Sequence, residues 1–195
     1  MENDDIQLIK ACINGDRSAF SDITSLYSPL LMGYLMRMCS SRQQAEDCFQ
    51  ETFKTVYEKA HTLRKPERFK TWLFRIATNT AVSALRKQGK RQIFSLNSQP
   101  DHSPTDNSGK YEPHDGNPGP DKQAIKTERR HLVKQALLSL PEKQRAALVL
   151  VYYQQLNYPL AAEVLKCSTG TIKQHMFRAL RKLAEKLPPS SGEII

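Results

Sequence analysis

Two carboxylates stand out among the side chains that could perform chemistry. Asp47 and Glu51 are four residues apart in a stretch of helical periodicity, and residues at this spacing share one face of a helix. Such a pair could bind a metal ion or act as an acid and a base. However, no histidine, nucleophile or glycine-rich loop accompanies them in the sequence. A polar helix face is therefore favoured over a carboxylate-based metal hydrolase, which would show metal-dependent turnover.

The cysteines do not form a recognisable site either. Cys12, Cys39, Cys48 and Cys167 lack C-x-x-C spacing and have no paired histidines nearby, so neither a zinc site nor a disulfide framework is predicted. Cys39 and Cys48 fall in apolar helical patterns, where a free thiol behaves as a small hydrophobic side chain. Core packing is therefore favoured over redox sensing. We expect no catalytic residue, metal, cofactor or small-molecule substrate.

The net charge of +9 is concentrated in two basic blocks. Residues 61–91 carry nine basic side chains against one acidic, residues 126–195 carry twelve against five, and the segments 1–60 and 92–125 each sum to −3. Nucleic acid is the natural partner of such blocks. An anionic membrane surface is the alternative, but no segment has the apolar length to span a bilayer. Because the N-terminus also lacks the pattern of a signal peptide, we expect a cytoplasmic protein without stable membrane insertion.

Apolar residues at three- and four-residue spacings predict an all-α protein, with a first small helical domain over residues 1–91. Asp4 or Asp5 can cap a first helix. A second helical run contains Pro29, which should kink or split it because proline lacks a backbone donor and clashes with the preceding turn. The aromatic residues and methionines of this run are interpreted as core rather than as a ligand pocket.

A third helix, α3 in chain order, is predicted over residues 42–60 with Ser40-Ser41 as its cap, and it has one apolar and one polar face. Four residues at the spacing i, i+3, i+4 and i+7 form the polar face, which we call the α3 polar face: Asp47, Gln50, Glu51 and Lys54. Taken on its own, this patch is interpreted as a solvated helix surface.

A basic loop over residues 61–70 leads into a helix over residues 69–91. Trp72, the only tryptophan, lies beside the apolar stripe of this helix, and its position fits either core packing or a base contact. The outer face carries side chains suited to a phosphate backbone: Lys70, Arg75, Asn79, Arg86 and Lys87. The loop adds two guanidinium groups, an amine and an aromatic ring in Arg64, Arg68, Lys65 and Phe69.

Residues 92–124 are predicted to be a flexible linker. The segment contains five of the eleven prolines, three glycines and almost no aliphatic residues, so it cannot bury enough apolar surface to fold. A second small helical domain is predicted over residues 125–187, followed by a tail at 188–195. Its first helix, 126–139, ends before Pro141, which suits the first turn of the next helix.

The second domain ends in a helix-turn-helix pattern. A helix over residues 158–165 is followed by a three-residue turn and a basic helix over residues 169–187, capped by Ser168. The apolar positions of the basic helix leave an outward face of Thr169, Thr171, Lys173, Gln174, His175, Arg178 and Arg181. A helical hairpin with a solvated face is the alternative interpretation.

Docked on DNA, the N-terminal part of such a helix meets base edges in the major groove. Base-edge contacts are therefore predicted for Lys173 and Gln174. Phosphate contacts, which position the protein without reading sequence, are predicted for Arg178, Arg181 and Lys182.

These segments together resemble a known family. The run AEDCFQETF, the basic loop and the helix FKTWLFRIATNTAVSALRK resemble the second conserved region of extracytoplasmic-function sigma factors, the promoter-specificity subunits of bacterial RNA polymerase. The run from LPEKQRAALV to FRALRKL is similar to the −35-binding region of the same family. The resemblance covers about residues 5–91 and 125–187, and the family's linker threads through polymerase channels.

The resemblance implies three contact surfaces. In this family the α3 polar face docks on core RNA polymerase, which implies that role for Asp47, Gln50, Glu51 and Lys54. The loop and helix that follow separate the strands of the −10 element, which implies −10 contacts by Arg64, Lys65, Arg68, Phe69, Lys70, Thr71, Trp72, Arg75 and Asn79. The helix-turn-helix binds the −35 element, which implies contacts by Thr169, Thr171, Lys173, Gln174, His175, Arg178, Arg181 and Lys182.

Some positions depart from the family pattern. Lys166 stands where the family usually has glycine before the turn, and a positive φ there is more strained for lysine than for glycine. Pro159 or Leu160 occupies the place of a usual acidic residue. His175 stands where the family often has arginine, so the promoter preference is expected to differ.

The sequence is therefore identified as a member of this family, expected to bind core polymerase and promoter DNA without covalent chemistry of its own. Members of this family are commonly held inactive by a cognate anti-sigma protein, so the resemblance implies such a protein as a third partner. The alternative is an autonomous helix-turn-helix regulator that binds an operator as a dimer. It would leave the α3 polar face and the basic loop without a role, and the sequence shows no evident dimerisation element.

Overall fold

The computed structural model describes residues 3–95 and 120–187, with side chains from 4 to 88 and from 127 to 187. Within these ranges the chain is helical and contains no strand, as the all-α prediction requires. The eight α-helices are α1 (Asn3–Ile13), α2 (Arg17–Met38), α3 (Arg42–Lys59), α4 (Phe69–Ser95), α5 (Pro120–Leu138), α6 (Glu142–Leu148), α7 (Tyr158–Leu165) and α8 (Thr169–Lys186). Two 3₁₀ turns, Ala60–Thr62 and Pro66–Arg68, join α3 to α4, and a π-helical turn, Val149–Tyr153, follows α6. None of the described helices is long and apolar enough to cross a membrane.

The ends of the predicted linker are helical. The helix α4 continues to Ser95 and α5 begins at Pro120, so the segment 92–124 contributes residues to both helices. Proline is accepted in the first turn of a helix because the backbone donor it lacks has no intrahelical partner there. The remainder of the predicted linker and the predicted tail at 188–195 lie outside the described residues.

Side-chain caps define the start of several helices. The Asp16 carboxylate precedes α2 and accepts hydrogen bonds from the backbone of Ser18 (2.8 Å) and Ala19 (3.2 Å). Ser41 and Ser168, both predicted as caps, accept from the third residue after them at the start of α3 and α8. Each cap satisfies a backbone donor that the first helical turn leaves free.

Pro29 does not split α2, which runs without a break from Arg17 to Met38. The proline removes the donor that the carbonyl of Ser25 would use. Both residues are exposed, so water can replace that donor and the helix can continue. The prediction of a split at this position is therefore wrong.

The N-terminal domain packs α2 against α3 and α4 around side chains with no exposed surface, including Leu31, Leu35 and Leu73. Its buried polar groups are paired. The Tyr34 hydroxyl lies 2.7 Å from the Thr78 hydroxyl, which donates to the Phe74 carbonyl at 2.7 Å. Burial raises the pKa of Tyr34, so the phenol stays neutral and α2 is fixed to α4 by this contact.

The C-terminal domain packs α6, α7 and α8 around buried residues that include Leu150 and Ile172, and these are continuous with the buried core of the N-terminal domain. The tight turn between α7 and α8 places Lys166 in the left-handed region at φ +50°. The backbone of Cys167 then donates to the Ala162 carbonyl at 3.0 Å and closes the end of α7.

The two domains contact each other directly, mainly where α4 meets α7 and where α2 meets α5 and the π-helical turn. Arg145 of α6 lies at this junction and is 5% exposed. Its Nη1 donates to the Met38 carbonyl (2.5 Å), and its Nη2 donates to the carbonyls of Leu138 (3.3 Å) and Leu140 (3.2 Å). Met38 and Leu138 are the last residues of α2 and α5, so one guanidinium caps a helix from each side of the linker.

Gln154 provides a second contact between the domains. Its side chain is 5% exposed, and its Nε2 donates to the Leu30 carbonyl of α2 at 3.4 Å. The backbone carbonyl of Gln154 accepts from Lys70 of α4 at 3.3 Å. Two helices of the N-terminal domain therefore meet the same residue of the C-terminal domain.

Replacing Lys166 by glycine should raise the free energy of unfolding by about 1 kcal/mol, because glycine adopts φ +50° without the steric conflict of a Cβ atom. Chemical denaturation of the purified chain measures this. Lys166→Ala is the matched control, since it removes the charge and keeps the Cβ atom, and it should give no such increase. An equal increase for both variants would assign the effect to the lysine side chain instead.

Arg145→Met should lower the free energy of unfolding by about 2 to 4 kcal/mol, since buried carbonyls lose a charged donor. Arg86→Ala is the control for charge: Arg86 is exposed and pairs with Glu142 at 3.7 Å, a kind of contact worth less than about 1 kcal/mol. Denaturation curves of equal midpoint for the two variants would contradict the capping role.

Candidate protein and nucleic-acid interfaces

The α3 polar face is a continuous exposed surface. The helix buries Ala45, Cys48, Thr52, Phe53 and Val56 against the core. All four predicted docking residues are exposed on its other side: Asp47, Gln50, Glu51 and Lys54.

The α3 polar face does not bring together the side chains that a metal site would need. Gln43 of the preceding turn donates to the Asp47 carboxylate at 3.1 Å. Among the described residues, no group of three or more His, Cys, Asp or Glu side chains is placed to hold a metal ion. The surface therefore offers two carboxylates, an amide and an amine to a partner.

The basic loop between α3 and α4 exposes three guanidinium or amine groups, those of Arg64, Lys65 and Arg68. Asn79 is exposed further along α4, and Arg75 is half-buried. These positions lie along the surface that the sequence predicts for the −10 element, so they can reach a nucleic acid without rearrangement of the core.

Three residues predicted to contact −10 DNA are buried instead. Phe69 is 1% exposed, Thr71 is 4% exposed and Trp72 is 9% exposed. The ring of Phe69 packs against Tyr27 of α2, with centroids 5.1 Å apart, and against Trp72, with centroids 6.0 Å apart. In this conformation Phe69 cannot stack on a base, because the first turn of α4 directs it into the core, and Trp72 is also a core residue.

Two of the predicted −10 cations are held by the C-terminal domain. Arg68 forms an ion pair with Glu163 of α7, with Nη1 and Oε2 3.0 Å apart. The half-buried Lys70 donates to the Gln154 carbonyl. Each of these contacts uses one donor of the cation, so further donors of both groups remain for a phosphate group.

The helices α7 and α8 form the predicted helix-turn-helix. Ile172, Met176, Ala179 and Leu183 of α8 are buried. Thr171 and His175 are half-buried, and the other predicted −35 residues are exposed: Thr169, Lys173, Gln174, Arg178, Arg181 and Lys182. Arg181 also pairs with Glu185 one turn later, at 3.3 Å, in solvent.

Phe177 is an outward residue that the sequence reasoning missed. It is 70% exposed, and it follows Lys173 and precedes Arg181 at four-residue spacing on the same face of α8. An exposed phenyl ring in a groove-facing position can contact a thymine methyl group. The helical period was the signal that could have identified it, since it places Phe177 between two predicted contacts.

His175 is held neutral at pH 7. Burial lowers its pKa below the usual range, and the positive charges of Lys143 and Arg178 lower it further. Its Nδ1 atom is buried without a hydrogen-bond partner in the described structure. The sequence placed His175 on the contact surface but gave no sign that Lys143 of α6 adds a cation beside it.

Two family models match the chain. Sigma-70 region 2 matches residues 23–91, and Sigma-70, region 4 matches residues 130–183. The first match spans most of α2, α3, the basic loop and most of α4, and the second spans α7 and most of α8.

Curated relatives match along nearly their whole length. The RNA polymerase sigma-H factor of Pseudomonas aeruginosa is 30% identical over 192 residues, covering 96% of both chains. The ECF RNA polymerase sigma-E factor of Haemophilus influenzae is 30% identical and covers 95% of this chain and 96% of its own. The ECF RNA polymerase sigma factor RpoE of Cereibacter sphaeroides is 32% identical and covers 88% of both.

Solved structures are similar as well. The sigma factor RpoE of Bartonella quintana, in complex with the anti-sigma factor NepR, is 28% identical with a TM-score of 0.62, covering 85% of this chain and 94% of that chain. CnrH, in complex with the cytosolic domain of CnrY, is 20% identical with a TM-score of 0.65, covering 93% of this chain and 95% of that chain. The second likeness concerns the fold alone.

Proposed function

This chain belongs to the extracytoplasmic-function sigma factors of bacterial RNA polymerase, and on that premise we propose a division of its surfaces among polymerase, −10 DNA and −35 DNA. It is a sigma factor, a non-enzymatic subunit that brings RNA polymerase to promoters, and not an autonomous operator-binding regulator. The observation that carries the division is the order of three exposed surfaces along the chain. The α3 polar face, the basic loop and the basic face of α8 follow one another as the family requires.

The α3 polar face is the proposed docking surface for core RNA polymerase. Its carboxylates and amide can accept and donate hydrogen bonds to a basic or polar partner helix. Because the opposite side of α3 packs in the core, the face is presented by a rigid element rather than by a loop. A rigid face loses little conformational freedom on binding, which favours affinity.

The basic loop and the outer side of α4 are the proposed −10 surface. Arg64 and Lys65 are exposed and can contact the backbone of separated strands at once. Arg68 and Lys70 each use one donor on a protein partner, Glu163 and the Gln154 carbonyl, and have further donors for phosphate oxygens. Full engagement of −10 DNA therefore competes with these two contacts between the domains.

The exposed face of α8 is the proposed −35 surface, with its N-terminal half in the major groove. Lys173 and Gln174 would contact base edges, and the neutral His175 beside them would add a hydrogen-bonding group without charge. The basic residues of the second half would contact phosphates: Arg178, Arg181 and Lys182.

We further propose a cytoplasmic location and inhibition by an anti-sigma protein. The polymerase and the promoter, with which a sigma factor works, lie in the cytoplasm. The similar RpoE of Bartonella quintana was solved in complex with an anti-sigma factor, which supports a partner of the same kind for this chain. Such a partner would compete for the surfaces assigned here to polymerase and DNA.

A double variant, Gln50→Ala with Glu51→Ala, should weaken association with core RNA polymerase by about tenfold or more, since truncating contact residues typically costs about 1 kcal/mol each. The melting temperature should stay unchanged because both side chains are exposed. Glu128→Ala removes an exposed carboxylate from α5 and serves as the control. A large fall in melting temperature would instead give the pair a structural role.

Arg178→Ala should lower the salt dependence of −35 duplex binding by about one unit of slope, because one phosphate contact is lost. Lys173→Ala should weaken binding mainly to the preferred sequence, since it removes a base-edge contact. Lys186→Ala removes an equal charge from the exposed last turn of α8 and should leave both quantities near the wild type. Fluorescence anisotropy at several salt concentrations measures the affinity and its salt dependence. Unchanged binding for Arg178→Ala and Lys173→Ala would contradict the assignment of α8 to the groove.

A further inference from the structure

Cys39 and Cys48 form a pair of buried thiols at the junction of α2 and α3. Cys39 directly follows α2, Cys48 lies in α3, and their sulfur atoms are 3.9 Å apart, with the Cys39 thiol donating to the Cys48 sulfur. A disulfide bond is about 2.05 Å long, so the sulfurs need to approach by about 2 Å. Neither thiol takes part in the contacts proposed above for polymerase or DNA.

A cleft connects this pair with the surface. It has a volume of about 360 Å³ and lies between α3 and α4. Its lining includes Cys48 itself together with Gln44, Asp47, Ala84, Lys87 and Gln88. A molecule of the size of water or hydrogen peroxide occupies about 30 Å³ and can enter such a space. Cys39 is absent from the lining, so we assign the first contact with a small oxidant to Cys48, which is itself 2% exposed.

The two thiols also differ in chemistry. The hydrogen bond from Cys39 lowers the pKa of Cys48, although burial and the charge of Asp47 oppose it. The same hydrogen bond raises the pKa of Cys39, as do burial and Cys48, against smaller opposite effects of Arg145 and Lys134. Because the thiolate is the nucleophile, the thiol on the cleft is also the more reactive one.

We propose that Cys39 and Cys48 form a peroxide-oxidised dithiol site that closes to an intramolecular disulfide. The Cys48 thiolate attacks one peroxide oxygen, the O–O bond breaks, and the departing hydroxide takes up the former Cys48 proton to leave as water. The resulting sulfenic acid is attacked by the Cys39 sulfur, the S–OH bond breaks, and the hydroxide leaves as water with the Cys39 proton. Two thiols are oxidised, and one peroxide is reduced to two water molecules.

The disulfide would alter the α3 polar face. Cys48 stands between Asp47 and Gln50 in the sequence, on the buried side of the same turns. Drawing its sulfur toward the end of α2 shifts those turns, because a close-packed interior transmits such displacements. Oxidation should therefore weaken docking on polymerase. This consequence rests on the function proposed above for the α3 polar face, whereas the disulfide chemistry does not.

Peptide mapping of the full chain tests the site. Trypsin cleaves after Arg37, Arg42 and Lys54, so the disulfide would join peptide 38–42 to peptide 43–54 in a single species under non-reducing conditions. Treatment with hydrogen peroxide should produce this species and lower the number of free thiols from four to two. If a given concentration of hydrogen peroxide oxidises the half-buried Cys167 but leaves peptides 38–42 and 43–54 unlinked, the proposal is overturned.

Two single variants test the order of the steps. After peroxide treatment, Cys39→Ser should accumulate a sulfenic acid at Cys48 that dimedone traps, whereas Cys48→Ser should leave Cys39 unlabelled. Equal labelling of the two, or labelling of Cys39 alone, would overturn the assignment of Cys48 as the attacking thiol. Cys167→Ser is the matched control and should still give the linked peptides. The mapping of the wild-type chain does not depend on whether either variant folds.

Association with core RNA polymerase, compared for the oxidised and reduced wild-type chain, tests the consequence. The oxidised chain should bind more weakly, and dithiothreitol should restore binding. Peroxide-treated Cys39→Ser, which cannot form the disulfide, should lose less affinity. Equal binding of the two wild-type forms, with the linked peptides present, would overturn the effect on docking, while a lack of linked peptides would overturn the site itself.

Discussion

Burial of the Arg145 guanidinium is the constraint on which the arrangement of the described helices depends. It is the one charged side chain that is buried in the described parts of the chain. Burial lowers its pKa, but a guanidinium remains protonated in proteins, so the charge has to be satisfied where it lies. The carbonyls at the ends of α2 and α5, which helix ends leave without donors, accept from Nη1 and Nη2, while Nε has no partner among the described residues. The buried guanidinium and the helix-end carbonyls therefore provide each other with hydrogen-bond partners. This contact joins the two domains.

The contact between the domains determines which of the proposed binding surfaces are exposed. The α3 polar face and much of the basic face of α8 are exposed while the domains are in contact. Arg68 and Lys70 of the proposed −10 surface are instead paired with α7 and with Gln154. The proposed docking and −35 surfaces are therefore accessible in this arrangement, whereas two cations of the proposed −10 surface also contact the C-terminal domain.

The sequence was sufficient for features that depend on local periodicity. The apolar spacing predicts the helices, and Ser41 and Ser168 are predicted as caps. The positive φ at Lys166 was suggested only by the family resemblance, in which a glycine usually stands at that position. The split predicted at Pro29 does not occur, because the solvent exposure that lets α2 continue depends on the tertiary structure, while the alternative, a kink, stays a prediction. The inward direction of Phe69 likewise follows from contact with Tyr27, 42 residues earlier in the chain.

Contacts between residues far apart in the chain could not be predicted from the sequence. The capping of Met38 by Arg145 spans 107 residues, and the ion pair of Arg68 with Glu163 spans 95. No periodic pattern encodes such pairs, because each depends on how whole helices pack. The Cys39 and Cys48 thiols are only nine residues apart, yet their proximity depends on the angle at which α3 leaves α2.

The most direct test of the account combines the purified wild-type chain with bacterial core RNA polymerase and measures both stable association and run-off transcription from a promoter library. We expect a stable complex that initiates at a restricted set of promoters, with no selective initiation by core polymerase alone. Absence of a complex, together with tight binding of the free chain to duplex DNA, would contradict it.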